Sequence, residues 1–424
     1  MNLFQKENLN EKNSLLKNAG IMFFAAAITN VFTLLYQLFM VRALVPADFG
    51  LLDKLMGLTL LASLPTGTFQ AVVTKFIASF RAEDNFNKIR SFLWLFLKKM
   101  GIIGILTLIA FVVFRHEIAA YYKTENTSLI VMVGLLLIIS TLLPLNFGAL
   151  QGLQKFKSLG AASIVIGSMR FVLGVVFVNM GFNVAGALGA LIIAGLVAFL
   201  VAFLPLKKYF FFAGTHKIKE KTEDLDLKGI YKYCLPAFIA LFSFALLTNM
   251  DLQLISPFFS KDDAGYFAVA RMIGKIILYL PAAITIVMFP KISEYHTLDK
   301  DTIPVLKKCL WIVGAICLGA GFICCAFPEL ILELLAGKVY PQCIPLVVPF
   351  ALSMSFYALS SVFLYYYLSV HNMKFIYVFM VFAFLQAALI VLFHSSLLQV
   401  LYIMVICSIA LFFINTLGVK KLRI

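Results

Sequence analysis

Twelve apolar stretches, each about 20 residues long, follow one another along this sequence, with short charged segments between them. A stretch of that length spans the hydrocarbon core of a bilayer as an α-helix, because a helix satisfies its backbone hydrogen bonds internally. The chain is 62% hydrophobic and 13% charged, whereas a soluble domain is about 25% charged. The pattern therefore predicts an all-α polytopic membrane protein and excludes an ordinary soluble fold.

The twelve predicted spans divide into two groups of six. We expect an N-terminal six-helix bundle in residues 1–206, a charged cytoplasmic linker in residues 207–228 and a C-terminal six-helix bundle in residues 229–424. The predicted spans are Asn18–Val41, Gly50–Phe80, Ser91–Phe114, Ser128–Phe147, Leu159–Val178, Val184–Leu206, Tyr231–Phe258, Gly265–Phe289, Lys308–Phe327, Cys343–Val370, Phe375–Phe393 and Leu397–Leu417.

The positions of the basic residues predict the orientation in the membrane. Of the 35 Lys and Arg residues, four lie inside spans and the great majority fall on the side of the N-terminus. The opposite side receives only Arg42, Arg115, Lys123, Lys261 and Lys338. By the positive-inside rule, both termini are predicted to be cytoplasmic and the protein to lie in the cytoplasmic membrane. The net charge of +15 then indicates contact with membrane lipids and not with nucleic acid.

The two halves of the chain repeat each other at a nearly constant offset. Chance similarity between apolar segments is the alternative, but glycine, proline and tryptophan carry positional information that leucine does not. Because each half has an even number of spans, both halves enter the membrane from the same face. The sequence thus predicts parallel repeats with a site between them. The matched pairs are Gln37 with Gln253, Gly50 with Gly265, Pro65 with Pro281, Lys75 with Lys291, and Trp94 with Trp311.

The sequence carries no enzyme signature. It lacks a Walker A loop, an H-E-x-x-H motif and a dinucleotide-binding glycine fingerprint. Its seven cysteines have no metal-ligand spacing, and its five histidines fall in predicted loops or at span ends. We therefore expect a membrane transporter with no catalytic residue, no metal and no cofactor.

Charged residues inside the spans are the candidate functional residues, because an ionised side chain at a helix centre costs about 2.5–3.5 kcal/mol. Arg271 and Lys275 are four residues apart and share a helix face. Asp251 can pair with Arg271, either to couple transport to an ion or only to hold two spans together. Asp53 and Lys54 lie a turn beyond Gly50 and can extend to the outer interface. The candidates are Asp53, Lys54, Arg170, Asp251, Arg271 and Lys275.

Polar residues and prolines supply further candidates. Pro65 and Pro281 are predicted to bend the second and eighth spans, as hinges that would suit alternating access. Four polar residues occupy related places in the first and seventh spans, where they line a cavity or only join helices by hydrogen bonds. These residues are Asn30, Gln37, Asn249 and Gln253.

Three segments carry a resemblance to a known family: VRALVPADFGLL (Val41–Leu52), DDAGYFAVARMIGKIILYLP (Asp262–Pro281) and VMFPKISEYH (Val287–His296). They resemble the polysaccharide transporters, or O-antigen flippases, of the MOP superfamily, which also contains MATE exporters and lipid II flippases. The resemblance implies a MATE-like fold. It also implies export of a polyprenyl-pyrophosphate-linked oligosaccharide (an O-antigen, capsule or exopolysaccharide unit) by alternating access, with a glycan polymerase and glycosyltransferases as partners.

Under that hypothesis, Arg170, Arg271, Lys275 and Lys54 form a cationic cavity that holds the pyrophosphate. One alternative is a cation-coupled, MATE-type exporter of small solutes that uses Asp251 as its coupling acid, which requires Asp251 to be free of Arg271. Another is a membrane scaffold for glycan assembly, in which the interior cations are all paired.

Overall fold

The computed structural model describes residues 3–211, 227–281, 300–370 and 376–421, together with residues 284, 285, 288, 292 and 295. Most of the predicted linker, the segment around Lys291 and most of Val287–His296 lie outside the described residues. All regular structure in the described part is helical. The prediction of an all-α membrane protein is confirmed.

A helix stands at each of the twelve predicted spans. Among the described residues, eight helical segments are long and apolar enough to cross a membrane, and two shorter apolar helices accompany them. The helices are α1 Leu3–Ala43, α2 Pro46–Ala82, α3 Phe86–Val113, α4 Arg115–Tyr121, α5 Ser128–Gly152, α6 Phe156–Phe177, α7 Asn183–Phe203, α8 Lys207–Phe211, α9 Leu227–Asn249, α10 Asp251–Ile255, α11 Lys261–Tyr279, α12 Ile303–Ala326, α13 Pro328–Ala336, α14 Ile344–Ser369, α15 Ile376–Leu392 and α16 Leu397–Lys421.

Helix boundaries follow local signals in the sequence. The side chain of Asn85 accepts a hydrogen bond from the backbone N–H of Lys88 at 3.0 Å and caps α3. Ser260 caps α11 in the same way, through the N–H of Asp263 at 3.0 Å. Between α6 and α7, Gly181 adopts a φ of +89°, a conformation that glycine reaches without strain. This glycine separates the fifth predicted span from the sixth.

The chain divides into two compact units that do not coincide with its two sequence halves. The first unit contains residues 1–43, 62–120 and 124–226, and the second contains residues 44–61, 121–123 and 227–424. The first turns of α2 therefore fold with the C-terminal helices, although the sequence places them in the N-terminal bundle. Hydrogen bonds, ion pairs and a close backbone contact to α10 and α11 explain this assignment.

The close backbone contact joins Gly50 of α2 to Gly265 of α11, the two glycines that the internal repeat matches. A Cβ on Gly265 would lie 2.2 Å from the backbone oxygen of Pro46, and a Cβ on Gly50 would lie 2.8 Å from the Cα of Gly265. No side chain fits at either position. Both glycines are therefore needed for α2 and α11 to cross at this distance.

The two repeat-related prolines occupy different structural positions. Pro65 lies inside α2, which continues to Ala82. Pro281 follows the end of α11 at Tyr279, and its carbonyl oxygen accepts from the N–H of Ile284 at 2.9 Å. Its role as a hinge in the eighth span stays a prediction. Because proline has no N–H to donate to the carbonyl of Ile277, it cannot continue the hydrogen-bond ladder of α11.

Candidate functional site

A buried ion cluster lies in the second unit, where α2, α10 and α11 meet. Arg271 of α11 is 0% exposed. Its Nε lies 2.8 and 3.0 Å from the two carboxylate oxygens of Asp251, and one terminal nitrogen lies 2.5 Å from Oδ2 of Asp53. The other terminal nitrogen lies 3.4 Å from the carbonyl oxygen of Thr248. The predicted pairing of Asp251 with Arg271 is therefore present, with Asp53 as a second carboxylate.

The local sequence brings these three residues together. Asp251 is the first residue of α10, directly after the break that ends α9 at Asn249. Asp53 follows Gly50 by three residues, so the glycine contact between α2 and α11 places its carboxylate against Arg271. Removing three charges from water is costly unless each is paired and hydrogen-bonded. The guanidinium meets that condition, because its donors face two carboxylates and one carbonyl.

Lys275 lies one turn after Arg271 but has a neutral partner. Its ammonium donates to Oδ1 of Asn249 at 2.9 Å. Asn249 is buried and is held in turn by the carbonyl of Ala245 at 3.0 Å and the hydroxyl of Thr248 at 3.1 Å. Among the described residues, no carboxylate lies within ion-pair distance of Lys275. The described residues give an acceptor to one of its three N–H groups.

Gln253 ties α10 to its neighbours. Its amide nitrogen donates to the backbone oxygen of Lys54 at 2.7 Å, and its amide oxygen accepts from the hydroxyl of Tyr122. A Cβ on Gly57 would lie 2.6 Å from that amide nitrogen, so the glycine leaves room for the contact. Gln253 and Asn249 are both buried. For these two residues the structure favours hydrogen bonding between elements over the lining of a cavity.

Lys54 and Asp53 are both enclosed by neighbouring helices, and their distance from the outer membrane interface stays a prediction. The side chain of Asp53 is 14% exposed and faces Arg271. Lys54 is 3% exposed. The reason is the crossing of α2 with α11, which encloses this face of α2.

The first unit holds a separate cation, Arg170 on α6. Its guanidinium carbon lies 4.4 Å from the centre of the Tyr36 ring, and the Tyr36 hydroxyl donates to the carbonyl of Ala187 at 3.2 Å. The Nε of Arg170 is buried without a hydrogen-bond partner among the described residues. Stacking on an aromatic face stabilises a cation, so Tyr36 partly compensates the burial of this guanidinium.

A cavity adjoins Arg170 in the first unit. Its volume is about 100 Å³, and α5, α6 and α7 line it with apolar side chains such as Leu136, Ile166 and Leu191. Arg170 and the hydroxyl of Ser140 are its polar groups. Asn30 on α1 is exposed and Gln37 is partly buried, and neither lines this cavity. The cavity is large enough for a small anion or a few water molecules.

The predicted cationic cavity needs correction at Arg271. That residue is enclosed by Asp53 and Asp251 and has no exposed surface with which to contact a cargo. The exporter alternative requires Asp251 to be free of Arg271. The structure contradicts that requirement, because Asp251 is 0% exposed and both its oxygens face Arg271. Within the described part of the chain, the Nε of Arg170 in the first unit has no partner, and Lys275 in the second unit has only a neutral one.

Sequence reasoning did not identify Tyr36, Tyr122 or Thr248. The ring of Tyr36 stacks on Arg170, the hydroxyl of Tyr122 binds Gln253, and the carbonyl oxygen of Thr248 binds Arg271. Each contact depends on how the helices pack. The 16 tyrosines of the chain carry no pattern that distinguishes Tyr36. Its position next to Gln37 is the one available signal, and it is weak.

Comparisons with known proteins agree with this architecture. A family model described as polysaccharide biosynthesis protein matches residues 39–345. An inward-facing multidrug resistance MATE family transporter of the MOP superfamily has a TM-score of 0.71 at 14% identity, over 93% of this chain and 95% of that one. A lipid II flippase in an inward closed conformation has a TM-score of 0.69 at 14% identity, over 94% and 87%.

A relative from Methanocaldococcus jannaschii, described as an uncharacterized membrane protein, is 24% identical over 330 residues, which are 74% of this chain and 75% of the relative. At these identities, the likeness to the two solved structures concerns the fold alone. The predicted MATE-like fold is confirmed.

Proposed function

We infer that this chain, which belongs to the polysaccharide biosynthesis protein family of the MOP superfamily, is a flippase. Its proposed substrate is a polyprenyl-pyrophosphate-linked oligosaccharide. The cargo would be a repeat unit of an O-antigen, capsule or exopolysaccharide. One observation carries the proposal. Arg170 lies in a helical segment long and apolar enough to cross a membrane, Lys275 lies on α11 in the predicted eighth span, and among the described residues neither pairs with a carboxylate.

The chemistry of the two cations fits a pyrophosphate. Arginine presents a planar fork that binds two phosphate oxygens, and lysine acts as a point charge with several donors. An unpaired cation in a membrane helix is costly, and an anionic cargo removes that cost when it binds. The apolar cavity beside Arg170 lowers the local dielectric, which strengthens any charge contact made there.

Arg271 has a supporting role in this proposal. With Asp53 and Asp251 it fixes the rotation of α11 about its axis. Lys275 is one turn farther along the same face and is held by Asn249. The ion cluster therefore orients Lys275 and does not itself contact the cargo.

The scaffold alternative requires every interior cation to be paired. Arg271 meets that requirement, whereas Lys275 has a neutral partner and the Nε of Arg170 has none among the described residues. A transport role explains these unused donors, and a scaffold role does not.

The membrane potential can drive this transport. If both termini are cytoplasmic, as predicted, an interior-negative potential favours outward movement of an anion by about 2.3 kcal/mol per charge per 100 mV. If the bound cargo neutralises the two cations, the same potential acts instead on the return of the empty, positive carrier. The glycosyltransferases that build the cargo and the polymerase that consumes it are the partners we propose. No step requires ATP, a metal or a cofactor.

We expect Arg170→Ala and Lys275→Ala each to reduce transport at least about tenfold, because a hydrogen bond to a charged group is worth about 1.5–3 kcal/mol. The measurement is surface glycan in a strain that carries the variant as its only copy, with the amount of inserted protein determined in parallel. Proteoliposomes loaded with lipid-linked oligosaccharide, probed with an external glycosidase, give the direct rate.

Lys307→Ala is the matched control, since Lys307 is exposed and lies on the predicted cytoplasmic side. It should transport like the unmodified protein. Normal glycan export by both test variants, at normal protein levels, would contradict the assignment of these two cations to the cargo.

A further inference from the structure

Lys54 is a buried cation that the ion cluster does not use. It is 3% exposed, and among the described residues its ammonium makes no hydrogen bond or ion pair. Its backbone oxygen accepts from Gln253 at 2.7 Å, which fixes this turn of α2 against α10. Enclosing the stem of a lysine whose ammonium has no acceptor is unfavourable. An acceptor bound at this ammonium would therefore stabilise the protein.

A second lysine is held close to the first. The ammonium of Lys123 donates to the backbone oxygen of Phe259 at 2.7 Å. Its neighbours Tyr121 and Tyr122 bind the backbone oxygen and the side chain of Gln253, the residue that also binds Lys54. Lys123 keeps a φ of +55°, which is unfavourable for a residue with a side chain. Several contacts therefore hold this segment in a strained conformation.

A third lysine completes the group. Lys261 is exposed and begins α11, two residues after Phe259, whose oxygen binds Lys123. Both Lys123 and Lys261 interact unfavourably with the charge of Lys54. Asp263, in the same turn as Lys261, instead bonds to the hydroxyl of Ser260 at 2.7 Å. Among the described residues, none of the three lysines forms an ion pair.

We propose that Lys54, Lys123 and Lys261 form an anion site in the second unit that binds a phosphate group. Three ammonium groups offer donors to several oxygens of one phosphate, and a bound anion converts their mutual repulsion into attraction. The predicted topology places Lys123 and Lys261 on the non-cytoplasmic side of the membrane. The phosphate comes either from an anionic lipid headgroup of that leaflet or from a soluble or cargo pyrophosphate.

This site is distinct from the one proposed for transport and does not depend on it. Lys54 lies on the turn of α2 that Gln253 joins to the segment of Tyr121 and Tyr122, next to Lys123, whereas Lys275 is held by Asn249 beside the ion cluster. A protein that lost transport through Lys275→Ala would still bind a phosphate at Lys54.

The test uses the full-length protein purified in a maltoside detergent, which contains no phosphate. Inorganic pyrophosphate and phosphatidylglycerol are titrated separately, and the thermal unfolding midpoint is followed. We expect one of them to raise the midpoint of the unmodified protein and the apparent dissociation constant to rise at least about tenfold in Lys54→Met. A response to pyrophosphate assigns a soluble or cargo phosphate, and a response to phosphatidylglycerol alone assigns a lipid headgroup.

Two further variants make the result decisive. Lys338→Met removes an exposed lysine on the same predicted side and should titrate like the unmodified protein. Lys54→Met removes an unpaired buried charge, so without anion its midpoint should be higher than that of the unmodified protein. If Lys54→Met does not fold, Lys261→Met, at an exposed position, provides the measurement. Equal titrations for the unmodified protein and the tested variant, or no response to either anion, would overturn the proposal.

Discussion

Replacing Arg271 with methionine is expected to destabilise the second unit by about 3–5 kcal/mol, the range measured when one partner of a buried ion pair is removed. Methionine fills similar space, so the loss arises from charge and not from a cavity. Asp251, which is 0% exposed, and Asp53 would then lose the guanidinium that pairs with both, and Lys275 is not within ion-pair distance of either. Thermal or chemical unfolding of the detergent-purified protein measures the effect.

Lys275→Met is the matched comparison, because it truncates a cation one turn away that is bonded to a neutral amide. It should cost only about 1 kcal/mol. Neutralising the acids in the Arg271→Met background, with Asp53→Asn and Asp251→Asn, should restore most of the stability. If Arg271→Met alone unfolds no more readily than Lys275→Met, the ion cluster does not stabilise the second unit.

The fold was predictable from the sequence because lipid imposes simple rules. A run of about 20 apolar residues has few alternatives to a membrane helix, and a described helix overlaps each predicted span. The assignment of residues 44–61 to the second unit was not predictable. It depends on a backbone contact between Gly50 and Gly265, which are distant in the sequence and carry no charge or hydrophobicity signal.

The candidate site was predictable only where its residues are close in the chain. Asp251 and Arg271 lie on consecutive spans, so their pairing followed from helix geometry and depth. Asp53 lies 218 residues from Arg271, and its contact requires knowledge of how α2 crosses α11. Whether a membrane cation is paired or unused depends on such distant contacts, so the sequence identified the charged residues but not their roles.

Asp53 and Lys54 show why the sequence does not reveal the role of each charged residue. They are adjacent in the sequence and were expected to behave alike, at the membrane interface. On a helix, consecutive side chains are rotated by about 100°. The side chain of Asp53 therefore pairs with Arg271, while Lys54 is 3% exposed and takes no part in that ion cluster. The neighbouring helices determine this difference, which the sequence of α2 alone does not show.

Gly265→Ala is expected to be as damaging as the loss of Arg271, at about 3 kcal/mol, the upper end of the usual cost of overpacking. The added Cβ would lie 2.2 Å from the backbone oxygen of Pro46, which cannot rotate away as a side chain could. α2 and α11 must therefore separate, which lengthens the contact between Asp53 and Arg271. The thermal unfolding midpoint of the purified protein measures the loss.

Gly319→Ala is the control for this substitution, because Gly319 also lies in a helix and a Cβ there meets nothing within 4 Å. Alanine favours a helix over glycine by about 1 kcal/mol, so the control should be neutral or slightly stabilising. Since separation of α2 from α11 weakens the ion cluster, Asp53→Asn should cost less in the Gly265→Ala background than alone. Strictly additive effects would mean that the glycine contact does not position Asp53 against Arg271.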